Sequence, residues 1–215
     1  MTSTIFLCTN CDAQFPKWMG QCTECGKWGT VARSQKEEEK ETQKVLPADI
    51  VHLEAKAPKD IVRIQTGVAE FDRVLGGGLV PGSVVLVGGD PGIGKSTLML
   101  QIARRLSNDC LYISGEESAE QVQLRLSRLS GDAKSIPFIA TDRVDRAVAA
   151  LRETKPKLAI IDSIQTVRDP DIGTEAGTVT QIRAAASRLV ECAKSNGIAI
   201  ILVGHVTKDG ALGGP

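Results

Sequence analysis

From about Asp60 onward, short apolar runs alternate with stretches whose apolar residues recur every three or four positions. A parallel sheet with crossover helices has this rhythm, because each strand needs a helix to carry the chain back before the next can start. The predicted strands are 84–87, 111–114, 137–140, 158–161 and 198–203. They are near-continuously apolar rather than alternating, as expected of strands covered on both faces. Helical spacing appears in the run 98–106, in Val122, Leu126 and Leu129, and in Val144, Val148 and Leu151. A longer helix, roughly 177–196, carries Ile182, Leu189 and Cys192, and Gly197 suits its C-terminal cap. Gly76-Gly77-Gly78 and Pro81-Gly82 make the approach to the first strand turn-rich.

Upstream of residue 60 the rhythm stops. Residues 34–59, beginning Ser34-Gln35-Lys36-Glu37-Glu38-Glu39-Lys40-Glu41, are charged and poor in apolar side chains, which reads as a solvated linker. Pro47 and Pro58 oppose a long helix there. Residues 1–33 hold two close cysteine pairs, both tryptophans and too little apolar material for a large core. The expected organisation is a small ribbon at 1–33, a linker at 34–59 and an α/β domain at 60–215.

Composition narrows the function classes. With 42% hydrophobic and 24% charged residues, the 215-residue chain has an ordinary globular balance. No apolar run approaches the ~20 residues that cross a bilayer, so no membrane partner is expected. The first residues lack the basic start and apolar core of a secretion signal, and the expected location is the cytoplasm. The 26 basic and 26 acidic residues cancel, so any contact with nucleic acid must rest on local patches.

The most specific chemistry lies at Gly89-Asp90-Pro91-Gly92-Ile93-Gly94-Lys95-Ser96-Thr97, which fits G-x-x-x-x-G-K-[ST] between a predicted strand and a predicted helix. The glycines let the loop wrap an anion with several N–H groups pointing inward, and the following helix adds its positive end. Lys95 can reach the β- and γ-phosphates of a nucleoside triphosphate, and the Ser96 hydroxyl can ligate Mg²⁺. A triphosphate with magnesium is the expected ligand; no local signature reads its base.

Leu158-Ala159-Ile160-Ile161-Asp162 is an apolar strand ending in an acid. In P-loop proteins such an aspartate, at the carboxyl end of a neighbouring strand, holds Mg²⁺ together with the loop hydroxyl. Glu116 and Glu117 follow the strand 111–114 and are expected at the same rim, where a carboxylate can deprotonate an attacking water. Two adjacent acids cannot both face one site without raising one pKa. Glu116 is the candidate for principal base, with Glu117 assisting or pointing elsewhere; the plainer alternative is that both merely begin a helix. His205 follows the strand 198–203 and is a candidate sensor of the γ-phosphate, against the alternative of a structural histidine.

Cys8-x-x-Cys11 and Cys22-x-x-Cys25, ten residues apart, can place four thiolates about one tetrahedral Zn²⁺. With so little core in the ribbon, metal would supply most of its folding free energy. A closed four-sulfur shell has no open position for catalysis, so the role expected is structural. Redox use of one pair is the competing reading. Cys110 and Cys192 lie in apolar contexts, before a strand and inside a helix, and read as core residues.

Taken together, these residues resemble the bacterial RadA/Sms DNA-repair ATPases. The resemblance rests on the order of the four-cysteine ribbon, the charged linker, Thr66-Gly67 with Leu75-Gly76-Gly77-Gly78, and the P-loop. It continues through Tyr112-Ile113-Ser114-Gly115-Glu116-Glu117-Ser118, Asp162-Ser163-Ile164-Gln165-Thr166 and Gly204-His205-Val206-Thr207-Lys208-Asp209-Gly210. It implies a RecA-like P-loop core that hydrolyses ATP, binds single-stranded and branched DNA and drives branch migration. It also implies a homo-hexamer, with a recombinase as a candidate partner. On that pattern Gly89 to Thr97 bind nucleotide, Asp162 supports Mg²⁺, Glu116 is the base and His205 lies at the sensor position. DNA-facing loops would follow Asp162 and His205, with Arg168 a candidate phosphate contact or simply a solvated loop residue. A strand-exchange recombinase and a nucleotide-dependent adaptor that recruits a recombinase are the alternatives. The family's Lys-Asn-Arg-Phe-Gly motif and its domain resembling the Lon protease do not occur here, so the expectation is a portion of a longer chain with an open sheet edge.

Overall fold

The computed structural model describes residues 6–11, 13–33, 62–129 and 135–205; the linker 34–59 and the segment beyond His205 lie outside the described residues. The chain divides into two compact units, Met1–Ala57 and Pro58–Pro215. In the first, β1 (Phe6–Cys8), β2 (Gln14–Phe15) and β3 (Val31–Arg33) pair antiparallel in the order β2-β1-β3. Cys8, Cys22 and Val31 form its buried centre. So small a core falls far short of what a free-standing domain needs, which leaves the sulfur cluster to hold the ribbon together.

The second unit runs α1 (Ala69–Val74), β4 (Val84–Gly89), α2 (Lys95–Leu106), β5 (Cys110–Ser114), α3 (Ala119–Leu126), β6 (Phe138–Ala140), α4 (Val144–Thr154), β7 (Leu158–Asp162), α5 (Val179–Asn196) and β8 (Ala199–His205). All five strands are parallel, in the order β4-β8-β7-β5-β6. Successive side chains of the central strands go to opposite faces. On one face Ile113, Ile161 and Leu202 join Val148 and Leu151 of α4 with Ala185 and Leu189 of α5. On the other, Tyr112, Ile160 and Ile201 join Met99, Leu100 and Ile102 of α2 with Val122 of α3. The result is the three-layer α/β arrangement that the apolar runs predict.

Several local expectations change. Cys110 opens β5 as a fully buried strand residue rather than preceding it. Helix α3 stops at Leu126, and Leu129 follows in a turn, its N–H bonded to Leu126 O. Just ahead of the turn-rich approach the chain forms the short helix α1, anchored where buried Asp72 accepts from Thr66 N at 2.9 Å and Thr66 Oγ1 at 2.8 Å. The strand β4 is not covered on both faces: Leu86 is 45% exposed, and β4 pairs on one side alone among the described residues. Finally, the strand ending in Asp162 does not neighbour the P-loop strand, since β8 runs between them.

Candidate functional site

The parallel strands deliver their carboxyl ends to one rim. Gly89 of β4 is level with His205 of β8, and Asp162 of β7 is level with Val203 of β8 and Ser114 of β5. Neighbouring strands lie about 4.8 Å apart. The rim therefore reads, in order, P-loop, His205, Asp162, and the turn that carries Glu116.

The P-loop leaves β4 at Gly89, passes through exposed Asp90, Pro91, Gly92 and Ile93, and enters α2 at Lys95. Gly94 caps that helix at φ 99°, a left-handed conformation that favours glycine, and no side chain caps the helix start. The N–H groups of its first turn, where Ser96 and Thr97 lie, remain available to an anion. Lys95 is buried; its Nζ donates to Gly89 O and Asp90 O, both at 2.8 Å, and lies 3.3 Å from His205 Nδ1. Free N–H groups, an ammonium and a hydroxyl on one turn suit a polyphosphate with its magnesium.

Asp162 is buried and accepts from the Tyr112 hydroxyl on Oδ2 at 2.5 Å. Burial first, then the Asp162 charge, pushes the Tyr112 phenol well above its ordinary range, which keeps it a donor. Among the described residues no donor reaches Asp162 Oδ1, so that oxygen fits a cation. A cis peptide joins Asp162 to Ser163. Buried Ser163 donates from Oγ to Glu116 Oε1 at 2.6 Å. The neighbouring acid goes elsewhere: Glu117 Oε2 accepts from Arg125 of α3 at 2.5 Å. Ser114 Oγ accepts from the N–H groups of both acids, at 3.3 and 3.0 Å, and this turn sends the two side chains apart.

Gly115 makes the closest approach at the rim. A Cβ there would fall 2.3 Å from Thr166 Oγ1, which itself donates to Ser163 O at 2.9 Å. Gln165 Nε2 donates to His205 O at 3.0 Å, while its Oε1 is buried without a partner. A cleft of about 510 Å³ opens here, lined by Glu116, Asp142, Gln165, Thr166, Gly177 and His205. The fold thus brings together Lys95 with His205, and Asp162 with Glu116 through Ser163; it does not bring in Glu117. Arg168, the candidate phosphate contact, donates to Asp142 at 2.8 Å and stays half-exposed. Tyr112, Gly115, Ser163 and Gln165 were not singled out individually in the sequence. For Ser163 and Gln165 the available signal was the Ser163-Ile164-Gln165-Thr166 run directly after Asp162, but their partners lie 47 and 40 residues away; Tyr112 and Gly115 carried no such local signal.

In the ribbon, the Sγ atoms of Cys8, Cys11, Cys22 and Cys25 all lie within 4.8 Å of one another, with Cys8–Cys25 at 3.7 Å and Cys11–Cys22 at 3.6 Å. A tetrahedron with ~2.3 Å metal–sulfur bonds has edges of about 3.8 Å, so the set fits zinc. The Thr30 hydroxyl holds Cys8 down at about 6, and the Lys27 N–H lowers Cys25. For Cys11 the Ala13 N–H pulls down, but desolvation and the three neighbouring thiols push it up to about 12. Crowded thiols resist full ionisation until a cation joins them.

A family model described as an AAA domain matches residues 53–211. The chain belongs to the AAA domain family. A second model, described as a rubredoxin metal binding domain, matches residues 6–32, which include all four clustered thiols. The chain is 40% identical to DNA repair protein RadA of Bacillus subtilis (strain 168) over its whole length and 49% of that protein. It is 44% identical to DNA repair protein RadA of Pseudomonas aeruginosa over 97% of this chain and 48% of that one. This AAA-family chain spans about half the length of the curated relatives it matches, and its resemblance to bacterial RadA is borne out. A solved KaiC-like protein, PH0186 of Pyrococcus horikoshii OT3, superposes with a TM-score of 0.57 at 22% identity, covering 72% of this chain and 74% of its own. That is a likeness of fold, and the RecA-like core with its Cys₄ ribbon is as expected.

Proposed function

We propose that this AAA-family chain is the ATP-hydrolysing part of a cytoplasmic DNA-repair motor that takes single-stranded and branched DNA and drives branch migration in homologous recombination. Residues 60–215 are the ATPase core, 1–33 the structural zinc ribbon and 34–59 the linker. The longer protein works as a homo-hexamer, with a recombinase as partner.

Lys95 and the free N–H groups of the first α2 turn hold the β- and γ-phosphates of the substrate ATP. Ser96 and Asp162 would hold a magnesium ion, which when bound would supply neutralisation of the phosphate charge. Tyr112 fixes the Asp162 carboxylate by donating to Oδ2. Glu116 takes a proton from water as the water oxygen bonds to the γ-phosphorus and the bond to the ADP oxygen breaks. Donation from Ser163 sets the orientation of the Glu116 carboxylate. His205, beside Lys95, senses the phosphate end, and its carbonyl bond to Gln165 links that end to the turn after Asp162.

The observation that carries this reading is the meeting at one rim: Lys95 Nζ 3.3 Å from His205 Nδ1, on the strand adjoining the one whose end holds Glu116 through Ser163. ATP turnover with and without single-stranded DNA tests it. Stimulated turnover is expected. Tight nucleotide binding with negligible turnover would replace the motor with a nucleotide-dependent switch.

A further inference from the structure

The ribbon carries a feature that its sulfur cluster does not use. Trp18 and Trp28 are 62% and 74% exposed, and they are the chain's only tryptophans. Each follows an exposed lysine, in Lys17-Trp18 and Lys27-Trp28. A Cβ built on Gly20 would lie 3.8 Å from Trp18 Cη2 and 3.8 Å from Trp28 Cζ3. The two six-membered ring edges therefore flank bare backbone at Gly20. The Gln21–Trp28 bridge and a 2.8 Å bond from Gly29 N–H to Gly20 O hold that backbone in place. Lys27 Nζ is braced on Asn10 Oδ1 at 2.6 Å, which leaves two of its N–H donors for another acceptor.

Among the described residues of the ribbon, no other large apolar side chain is comparably exposed. Flat aromatic faces with cations beside them suit bases and phosphates. We infer that Trp18 and Trp28 form a stacking platform for unpaired bases of a single-stranded polynucleotide, with Lys17 and Lys27 meeting the flanking phosphates. This site uses ribbon residues alone and none of those at the ATPase rim. It rests on the DNA-motor reading only for the choice of a polynucleotide as ligand.

Because both tryptophans belong to the platform, their emission reports on it alone. An unlabelled 20-residue oligo-dT is titrated into the 215-residue chain without nucleotide, and a labelled copy is followed by anisotropy in parallel. Saturable, salt-sensitive quenching that tracks the anisotropy is expected. Trp28→Ala weakens binding roughly 5- to 150-fold, the span that loss of one stacked base produces, while Trp28→Phe retains most of it. Gly20→Leu fills the gap between the rings and also weakens binding, with zinc content and ATP turnover unchanged. Labelled DNA that binds with unaltered tryptophan emission would overturn the platform and leave the motor intact. Equal affinity for duplex would overturn stacking, and no binding of either would overturn the site. Quenching by a protein partner but not by DNA would make this a protein surface. Quenching by DNA without DNA-stimulated turnover would keep the platform and reject the motor.

Discussion

Gly115→Ala is the most economical probe of how the rim is held. The new methyl would start 2.3 Å from Thr166 Oγ1 and 3.0 Å from Thr166 Cβ, against an ordinary contact of about 3.4 Å or more. Thr166 must shift by roughly 1 Å, which loosens its 2.9 Å bond to Ser163 O and moves the Ser163 hydroxyl that holds Glu116. Overpacking costs about 1–3 kcal/mol. The smaller entropy of the unfolded alanine chain offsets about 0.4–1 kcal/mol of that. The domain should stay folded, with its melting temperature lowered by only a few degrees at ~2–4 °C per kcal/mol. Hydrolysis should fall far more, about 100-fold for a misplacement near 1 Å. ATP affinity should hold, because Lys95 and the P-loop turn are untouched. Single-turnover hydrolysis, calorimetric ATP binding and thermal melting on one preparation separate these effects. Wild-type turnover in Gly115→Ala would refute the chain of contacts.

Three further outcomes test other levels. Leu189→Ala deletes a fully buried side chain of α5 and should cost about 2–5 kcal/mol in urea unfolding; a loss below about 1 kcal/mol would mean the face against α4 and α5 is not the core. Purified chain should hold one zinc, and Cys22→Ser or a chelator should remove it and change the tryptophan emission; zinc-free protein with an intact ribbon would contradict the four-sulfur site. Arg143 donates to Asp145 at 3.0 and 2.6 Å and holds its carboxyl at about 2, below the ordinary 3.8. A depressed folded pKa contributes stability that is present above about pH 4 and lost as pH falls towards 2. Asp145→Asn should therefore flatten the acid limb of a stability profile in that window, and an unchanged limb would argue against the ion pair.

The elements were largely legible because their signals are local. Runs such as Leu158-Ala159-Ile160-Ile161 and helical spacings such as Val144, Val148 and Leu151 encode burial directly, and the P-loop is a contiguous motif. Sheet order is not local. Nothing in the residues 84–87 distinguishes an edge strand from a central one, so half-exposed β4 read as covered. The same limit hid β8 between the P-loop and Asp162. The partition of Glu116 from Glu117 depended on Ser163, 47 residues from Glu116, and on Arg125 one helix later. Leu129 kept helical spacing beyond the true end of α3 because its apolar contact survives in a turn.

The central claim is that Glu116, held by Ser163, removes the proton from the water that cleaves ATP. Single-turnover hydrolysis by Glu116→Gln and Glu117→Gln, with ATP binding measured on each, tests it most directly. The account predicts that Glu116→Gln binds ATP normally and loses hydrolysis, while Glu117→Gln retains most of it. Loss confined to Glu117→Gln, or unchanged turnover in Glu116→Gln, would contradict it.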